Sequence, residues 1–276
     1  MKTIFIDIDG TLLNSESAAS ERTKSVLNKL KEQGINWYIC TGRSRLSSKP
    51  VVDEVNPCRY LITATGSDIY DLQEQKVIYQ KLMNHKSVTK ICEIVKKYDL
   101  SSWFQNGYNS YTTKIEERNK KSELIPDDHS TFFRDHPVTQ IVLLHKDLEN
   151  MRRARKEILK CKGIEFVCQS ETFINPNIPY RPEKHDAFLN ITAKKQSKGN
   201  AVRTLCRKLK IRIRDVICVG DSANDTSMLK VAGTGVAMGN APDNVKRYAN
   251  LVIKSNDEDG LADFLEETFL KEKEHE

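Results

Sequence analysis

The sequence predicts an α/β fold, a doubly wound parallel sheet interrupted by a second, inserted α+β domain. Two observations carry this. Three apolar runs share one grammar: residues 3–6 lead into Asp7-Ile8-Asp9-Gly10-Thr11, residues 37–40 into Thr41-Gly42-Arg43, and residues 216–219 into Gly220-Asp221-Ser222. Runs that are continuous rather than alternating fit strands covered on both faces, as in a parallel sheet. The middle of the chain has a different pattern of helices, short strands and prolines.

Taken in order, residues 3–6 form the first strand. Val26, Leu27 and Leu30, before Gly34, are the apolar stripe of a helix that returns to the strand at 37–40. From 83 to 186 the chain holds two helix-like stretches (88–98 and 148–161) and strand candidates at 103–105, 138–144 and 165–168. Pro176, Pro179 and Pro182 then predict a loop of fixed shape around 175–182. The apolar run 188–191 resumes the style of the first domain, so residues 1–82 and 187–276 are expected to form the core and 83–186 the insertion. Lys198 opens a helix carrying Val202, Leu205, Cys206 and Leu209, which feeds the strand at 216–219. Ligands of such folds gather beyond the carboxyl ends of the strands, where all three polar clusters sit.

Composition narrows the function classes. The 276 residues are 38% hydrophobic and 30% charged, a soluble globular balance. No apolar segment approaches the ~20 residues that span a bilayer, and the strand-like run right after Met1 leaves no room for a signal peptide. Seven scattered cysteines without a C-x-x-C pair fit reduced thiols and a cytoplasmic location. The net charge of +6 favours anionic partners. The densest basic run, Arg152 to Lys156, lies on a helix whose Met151, Ala154, Ile158 and Cys161 face inward, so its arginines read as a solvated face rather than a nucleic-acid site.

The chemistry concentrates in four places. Asp7 and Asp9 stand two apart on extended backbone, with Gly10 to turn the chain. Asp221 ends a buried strand, and Asn224 and Asp225 follow it. Were the strands neighbours, Asp7, Asp221 and Asp225 would converge; two carboxylates at ~4 Å repel by roughly 4 kcal/mol at an effective dielectric of ~20. Such a cluster stays ionised beside a cation, and an all-oxygen donor set selects Mg²⁺ over zinc. Lys198 lies in a first helical turn, where it opposes the helix dipole; a shared bound anion would account for that. Thr41 and Gly42 could hold a phosphoryl oxygen, and Arg43 either reaches substrate or pairs with a carboxylate. Asn256-Asp257-Glu258-Asp259-Gly260 imitates a metal loop but precedes the amphipathic pattern Leu261, Phe264, Leu265, Phe269, and reads as a capping turn. The six histidines show no ligand spacing, which argues against a serine or cysteine hydrolase.

DIDGT at 7–11, TGR at 41–43, Lys198 and GDSAND at 220–225 together resemble the four motifs of the haloacid-dehalogenase-like phosphatases. The run through GVAMGNA (235–241) and NDEDG (256–260) is similar to their Cof-like sugar-phosphatase branch. The resemblance implies a Rossmann-like core under a mobile type IIB cap. It implies Asp7 as nucleophile and Asp9 as general acid and base. It further implies Mg²⁺ held by Asp7, Asp9 (through its backbone carbonyl) and Asp221, with Asp225 in support. Thr41, Gly42, Lys198 and Asn224 would bind phosphate, Arg43 would contact substrate, and the substrate would be a small phosphorylated metabolite. The same motifs serve phosphomutases and phosphotransferases, and a non-catalytic basic binding protein would have to treat the whole set as a relic. Two departures stand out: Thr65-Gly66-Ser67 replaces the frequent Asn-Gly-Ala, and Asn190 stands where a glutamate is frequent.

Overall fold

A computed structural model describes residues 2–169 and 186–271; the loop expected at 175–182 lies outside the described residues. In chain order the strands are β1 (Thr3–Ile6), β2 (Asn36–Cys40), β3 (Tyr60–Thr63), β4 (Asp68–Asp71), β5 (Lys76–Gln80), β6 (Ser101–Asn106), β7 (Asn109–Thr112), β8 (Glu123–Leu124), β9 (Gln140–His145), β10 (Ile164–Gln169), β11 (Ala187–Ala193), β12 (Val216–Gly220), β13 (Thr234–Ala237) and β14 (Leu251–Val252). The chain divides into two compact units, residues 1–43, 47–79 and 197–276 in one, 44–46 and 80–196 in the other.

The first unit is built on an eight-stranded sheet ordered β14-β13-β12-β1-β2-β3-β4-β5. Its centre is parallel, with β1 between β12 and β2 and Ile4 in register with Ile217 and Trp37. Alternate residues of the same strands enter two separate cores. Ile4, Ile6, Trp37, Ile39, Ile217 and Val219 pack with Leu27, Leu30, Val52 and Leu265 on one face. Phe5, Tyr38, Cys40, Val216 and Cys218 pack with Val202, Leu205 and Met228 on the other. The strands read as unbroken apolar runs because both of their faces are covered. Helices Glu21–Glu32 and Arg45–Val55 supply side chains to the first core, and Lys198–Leu209 and Thr226–Val231 to the second.

The second unit is a six-stranded sheet ordered β10-β11-β9-β6-β7-β8, antiparallel except for the β7–β8 pair. A single core covers one face: Phe104, Ile141, Leu143, Leu189 and Ile191 pack under helices His85–Lys97 and Leu148–Ile158. The latter buries Met151, Ala154 and Ile158, and Arg152 and Arg153 are exposed.

One expectation is corrected here. Residues 188–191 do not return to the first sheet; β11 lies between β10 and β9 of the second. In β11, Ala187, Leu189 and Ile191 are buried while Phe188 and Asn190 are only half-buried. That alternation belongs to a strand covered on one face, and three apolar residues around Asn190 are too few to distinguish it from a continuous run. Asn190 accordingly lies within the second sheet, where its carbonyl accepts from Gln140 Nε2 at 2.9 Å.

The turn at 255–260 is a cap. Ser255 and Glu258 form a capping box, and Asp257 Oδ1 and Asp259 Oδ1 accept from Ser15 N and Ser20 Oγ at 2.8 and 2.6 Å. Among the described residues no helix is long and apolar enough to cross a membrane. Six cysteines (Cys40, Cys58, Cys92, Cys161, Cys206 and Cys218) are free thiols.

Candidate active site

The carboxyl ends of β1, β12 and β2 bring the polar clusters together. Because β1 and β12 are parallel neighbours, Asp7 and Asp221 leave the sheet at the same edge, and Asp7 N donates to Val219 O at 3.1 Å. One oxygen from each of Asp7, Asp221 and Asp225 fits within a 4.8 Å span. Lys198 is fully buried beside them, its Nζ 2.7 Å from Asp7 Oδ1 and 2.6 Å from Asp225 Oδ1. A lysine against the positive end of its own helix is unfavourable; here two carboxylates offset both that and its desolvation.

Local sequence explains each placement. Ser197 caps the Lys198 helix by accepting from Asn200 N at 3.2 Å. Gly199 lets that helix approach the neighbouring segment, since a Cβ there would lie 2.2 Å from Ser227 O. Gly10 turns the chain at φ +73°, and a Cβ on it would stand 2.3 Å from Asp221 Oδ2. Asp225 Oδ2 gathers the amides of Asp221 and Ser222 at 3.1 and 2.9 Å and the Ser222 hydroxyl at 3.1 Å. Its other oxygen meets Lys198, so Asp225 fixes the turn and the lysine together.

The electrostatics follow from this crowding. Burial first, and then repulsion from Asp225, raise the Asp7 carboxyl well above its ordinary range, against the pull of Lys198. Burial and Asp225 also lift Asp221 to about 6, with the Thr11 hydrogen bond and Lys198 opposing. The lysine pKa is raised as well, which here favours the charged form: burial pulls it down, but the carboxylates of Asp225 and Asp7 outweigh that. Three carboxylates surround a single ammonium, and the burial and mutual repulsion make protonation of Asp7 and Asp221 easier than usual. All-oxygen donors with this charge suit a hard divalent cation.

Asp9 is not part of this cluster. Its side chain is 60% exposed and receives Arg43 Nε at 2.9 Å and Nη2 at 2.5 Å. Of the two expectations for Arg43, the structure realises pairing with a carboxylate. Thr41 is fully buried at the end of β2, and its Oγ1 accepts from Arg43 N at 3.1 Å. A Cβ on Gly42 would lie 3.2 Å from Asn224 Nδ2, so Asn224 flanks the same loop; its carbonyl accepts from Ser222 Oγ at 2.9 Å.

Several supporting residues escaped the sequence reading. Thr11 Oγ1 donates to Asp221 Oδ1 at 2.9 Å. Asn240 Nδ2 donates to Gly10 O at 2.8 Å, and Asn256 Nδ2 to Leu13 O at 2.9 Å, tying two distant loops to the Asp7–Leu13 turn. All three sit inside runs already singled out (7–11, 235–241 and 256–260), but nothing local in those runs tells which loop their side chains tie to.

Comparison with known proteins agrees with this architecture. The profile of the haloacid dehalogenase-like hydrolases matches residues 4–265. A Haemophilus influenzae protein named provisionally as a phosphatase is 31% identical over 97% of this chain and 98% of its own. The 5-amino-6-(5-phospho-D-ribitylamino)uracil phosphatase YcsE of Bacillus subtilis is 28% identical over 95% of this chain and 93% of its own. The crystal structure of a haloacid dehalogenase-like hydrolase from Bacteroides thetaiotaomicron superposes with a TM-score of 0.81, at 25% identity, over 97% of this chain and 99% of that one. The chain belongs to the haloacid dehalogenase-like hydrolases.

Proposed function

We propose that the protein is a Mg²⁺-dependent phosphatase of small phosphorylated metabolites, working through an aspartyl-phosphate on Asp7. The observation that carries this reading is the largely buried cluster in which three carboxylates, of Asp7, Asp221 and Asp225, meet the single ammonium of Lys198. A buried charge imbalance of this kind is tolerated when a cation completes it. Phosphatase names among relatives spanning nearly the whole chain support the reaction class.

In this reading Asp7, Asp221 and the backbone carbonyl of Asp9 would hold the cation, with Asp225 behind them. Bound there, Mg²⁺ supplies neutralising charge for the phosphoryl oxygens. The Asp7 carboxylate attacks phosphorus, the ester P–O bond breaks, and Asp9 gives its proton to the leaving oxygen. Asp9, then a carboxylate, takes a proton from water as that water attacks the acyl phosphate and inorganic phosphate departs. The Thr41 hydroxyl, the Gly42 backbone, Asn224 and the Lys198 ammonium stabilise the phosphoryl oxygens. Asp9 suits a proton shuttle because it stands outside the buried cluster, on an exposed side chain steered by Arg43. The first unit carries the chemistry, and specificity for the metabolite is assigned to the inserted unit.

The test is phosphate release from a panel of sugar phosphates, flavin nucleotide and pyridoxal phosphate, with Mg²⁺ and with excess chelator. Release that needs the metal is expected; release undiminished by chelator, or none from any ester, would overturn the reading.

A further inference from the structure

Thr65 is out of place on every local criterion. It is 2% exposed, and its Oγ1 is a buried hydroxyl without a hydrogen-bond partner among the described residues. Its backbone is left-handed (φ 53°, ψ 32°), a conformation that β-branched residues rarely adopt. The preceding Ala64 is left-handed too, at φ 50°. An unmet buried donor and a disfavoured backbone together destabilise the fold, and such combinations persist where function holds them.

The surroundings say what the hydroxyl faces. Ala64 N donates to Arg43 O at 2.8 Å and Thr65 N to Thr41 O at 3.2 Å, so this turn is stitched to the Thr41-Gly42-Arg43 loop. On its other side Gly66 abuts the Lys198 helix, for a Cβ there would lie 2.3 Å from Ser197 O. Thr65 Oγ1 borders Gly42: a Cβ on that glycine would lie 3.5 Å from Thr65 Oγ1 and 3.2 Å from Asn224 Nδ2. Among the described residues the Asn224 amide nitrogen has no hydrogen-bond partner either, while its carbonyl accepts from Ser222 Oγ. Two unspent donors thus border Gly42, which has no side chain to stand between them. A Thr65→Val change would keep the shape and remove only the donor.

We propose that the Thr65 hydroxyl and the Asn224 amide, on either side of Gly42, bind a non-bridging oxygen of the substrate phosphate, making Thr65 a phosphate-binding residue. The proposal rests on the phosphatase reading above. A neutral hydroxyl and amide contribute directional bonds without adding charge, which leaves the Asp7–Lys198 balance undisturbed. The hydroxyl, unmet in the free protein, gains its partner on binding, so its desolvation is already complete when phosphate arrives.

The experiment compares wild type with Thr65→Val, Thr65→Gly and Thr65→Ser. It measures kcat and KM for phosphate release, inhibition by inorganic phosphate with Mg²⁺ present, and the melting temperature. Loss of one neutral hydrogen bond weakens binding about 5- to 10-fold. Thr65→Val and Thr65→Gly should therefore bind inorganic phosphate about 5- to 10-fold more weakly, and Thr65→Ser within about 2-fold of wild type. The melting temperature should hold or rise in the glycine variant, which also relieves the left-handed backbone. Wild-type affinity for inorganic phosphate and an unchanged KM in the glycine variant would overturn the assignment while leaving the phosphatase reading intact. A wild type that releases no phosphate from any ester would overturn both.

Discussion

Lys198 Nζ lies 2.7 Å from Asp7 Oδ1, and neither side chain is more than 5% exposed. The pair joins the first strand of the core to a helix that starts only after the whole inserted unit. Its position follows from the strand order, with β12 beside β1 and the Lys198 helix packed over them on one face.

Removing the ammonium should therefore be costly. Lys198→Met leaves Asp7 and Asp225 facing each other without compensation, and breaking a buried ion pair from one side costs about 3–5 kcal/mol. Urea unfolding in chelator should register a loss of that order. The deficit should shrink at mildly acidic pH, where protonation relieves the repulsion; a deficit independent of pH would contradict this account.

Asp221 sets a pH dependence whose sign is determined. Its folded pKa is about 6 against an ordinary 3.8, so between these values the folded state keeps a proton that the unfolded chain releases. In chelator, the stability tied to this group is complete below the unfolded value and is lost as pH rises through the folded one. A cation binds the carboxylate form, so the gain in melting temperature on adding Mg²⁺ should grow from roughly pH 5 to pH 7.5. Melting scans across that range with and without the metal provide the check, and a gain that falls as pH rises would contradict the assignment.

Gly10→Ala should disturb the acidic cluster directly. The new methyl would stand 2.3 Å from Asp221 Oδ2, on a backbone at φ +73°. Displacement of Asp221 predicts at least about 10-fold weaker Mg²⁺ binding, with about 1–3 kcal/mol lost from stability. Calorimetric titration of the metal separates this from Gly34→Ala, where φ is also +73° but nothing lies within 4 Å of the added carbon. The second variant should lose stability alone.

Asp9→Asn should spare the fold. The side chain is 60% exposed and its partner is Arg43. A general acid and base contributes about 10²–10⁴-fold, so kcat should fall by that much with melting temperature nearly unchanged. A variant that turns over as fast as wild type would remove Asp9 from the reaction.

Much of the core was legible because buried parallel strands are written as continuous apolar runs. The clusters at 7–11, 41–43 and 220–225 announced themselves because each interrupts such a run with side chains that a buried edge does not otherwise tolerate. Other elements left fainter traces. Helix Arg45–Val55 carries Pro50 and two serines, so its propensity is weak, although Val51, Val52 and Val55 bury its inner face. Strands β3 and β4 have four residues each, too short for a period. In β11 the inserted sheet's alternation reads, over so short a span, like the core's continuity. Pairing was the least legible: that Lys198 meets Asp7 and Asp225, or that Thr65 reaches Gly42, depends on strand order and turn geometry, which no local pattern encodes.

The most direct test is phosphate release by Asp7→Asn beside wild type, with Mg²⁺ and the best substrate from the panel. The asparagine is isosteric with the protonated carboxyl that burial already favours, so circular dichroism and melting temperature should match wild type. Turnover should fall by at least about 10³-fold, the scale of losing a covalent nucleophile. A folded Asp7→Asn protein that still released phosphate at a rate comparable to wild type would contradict the account at its centre.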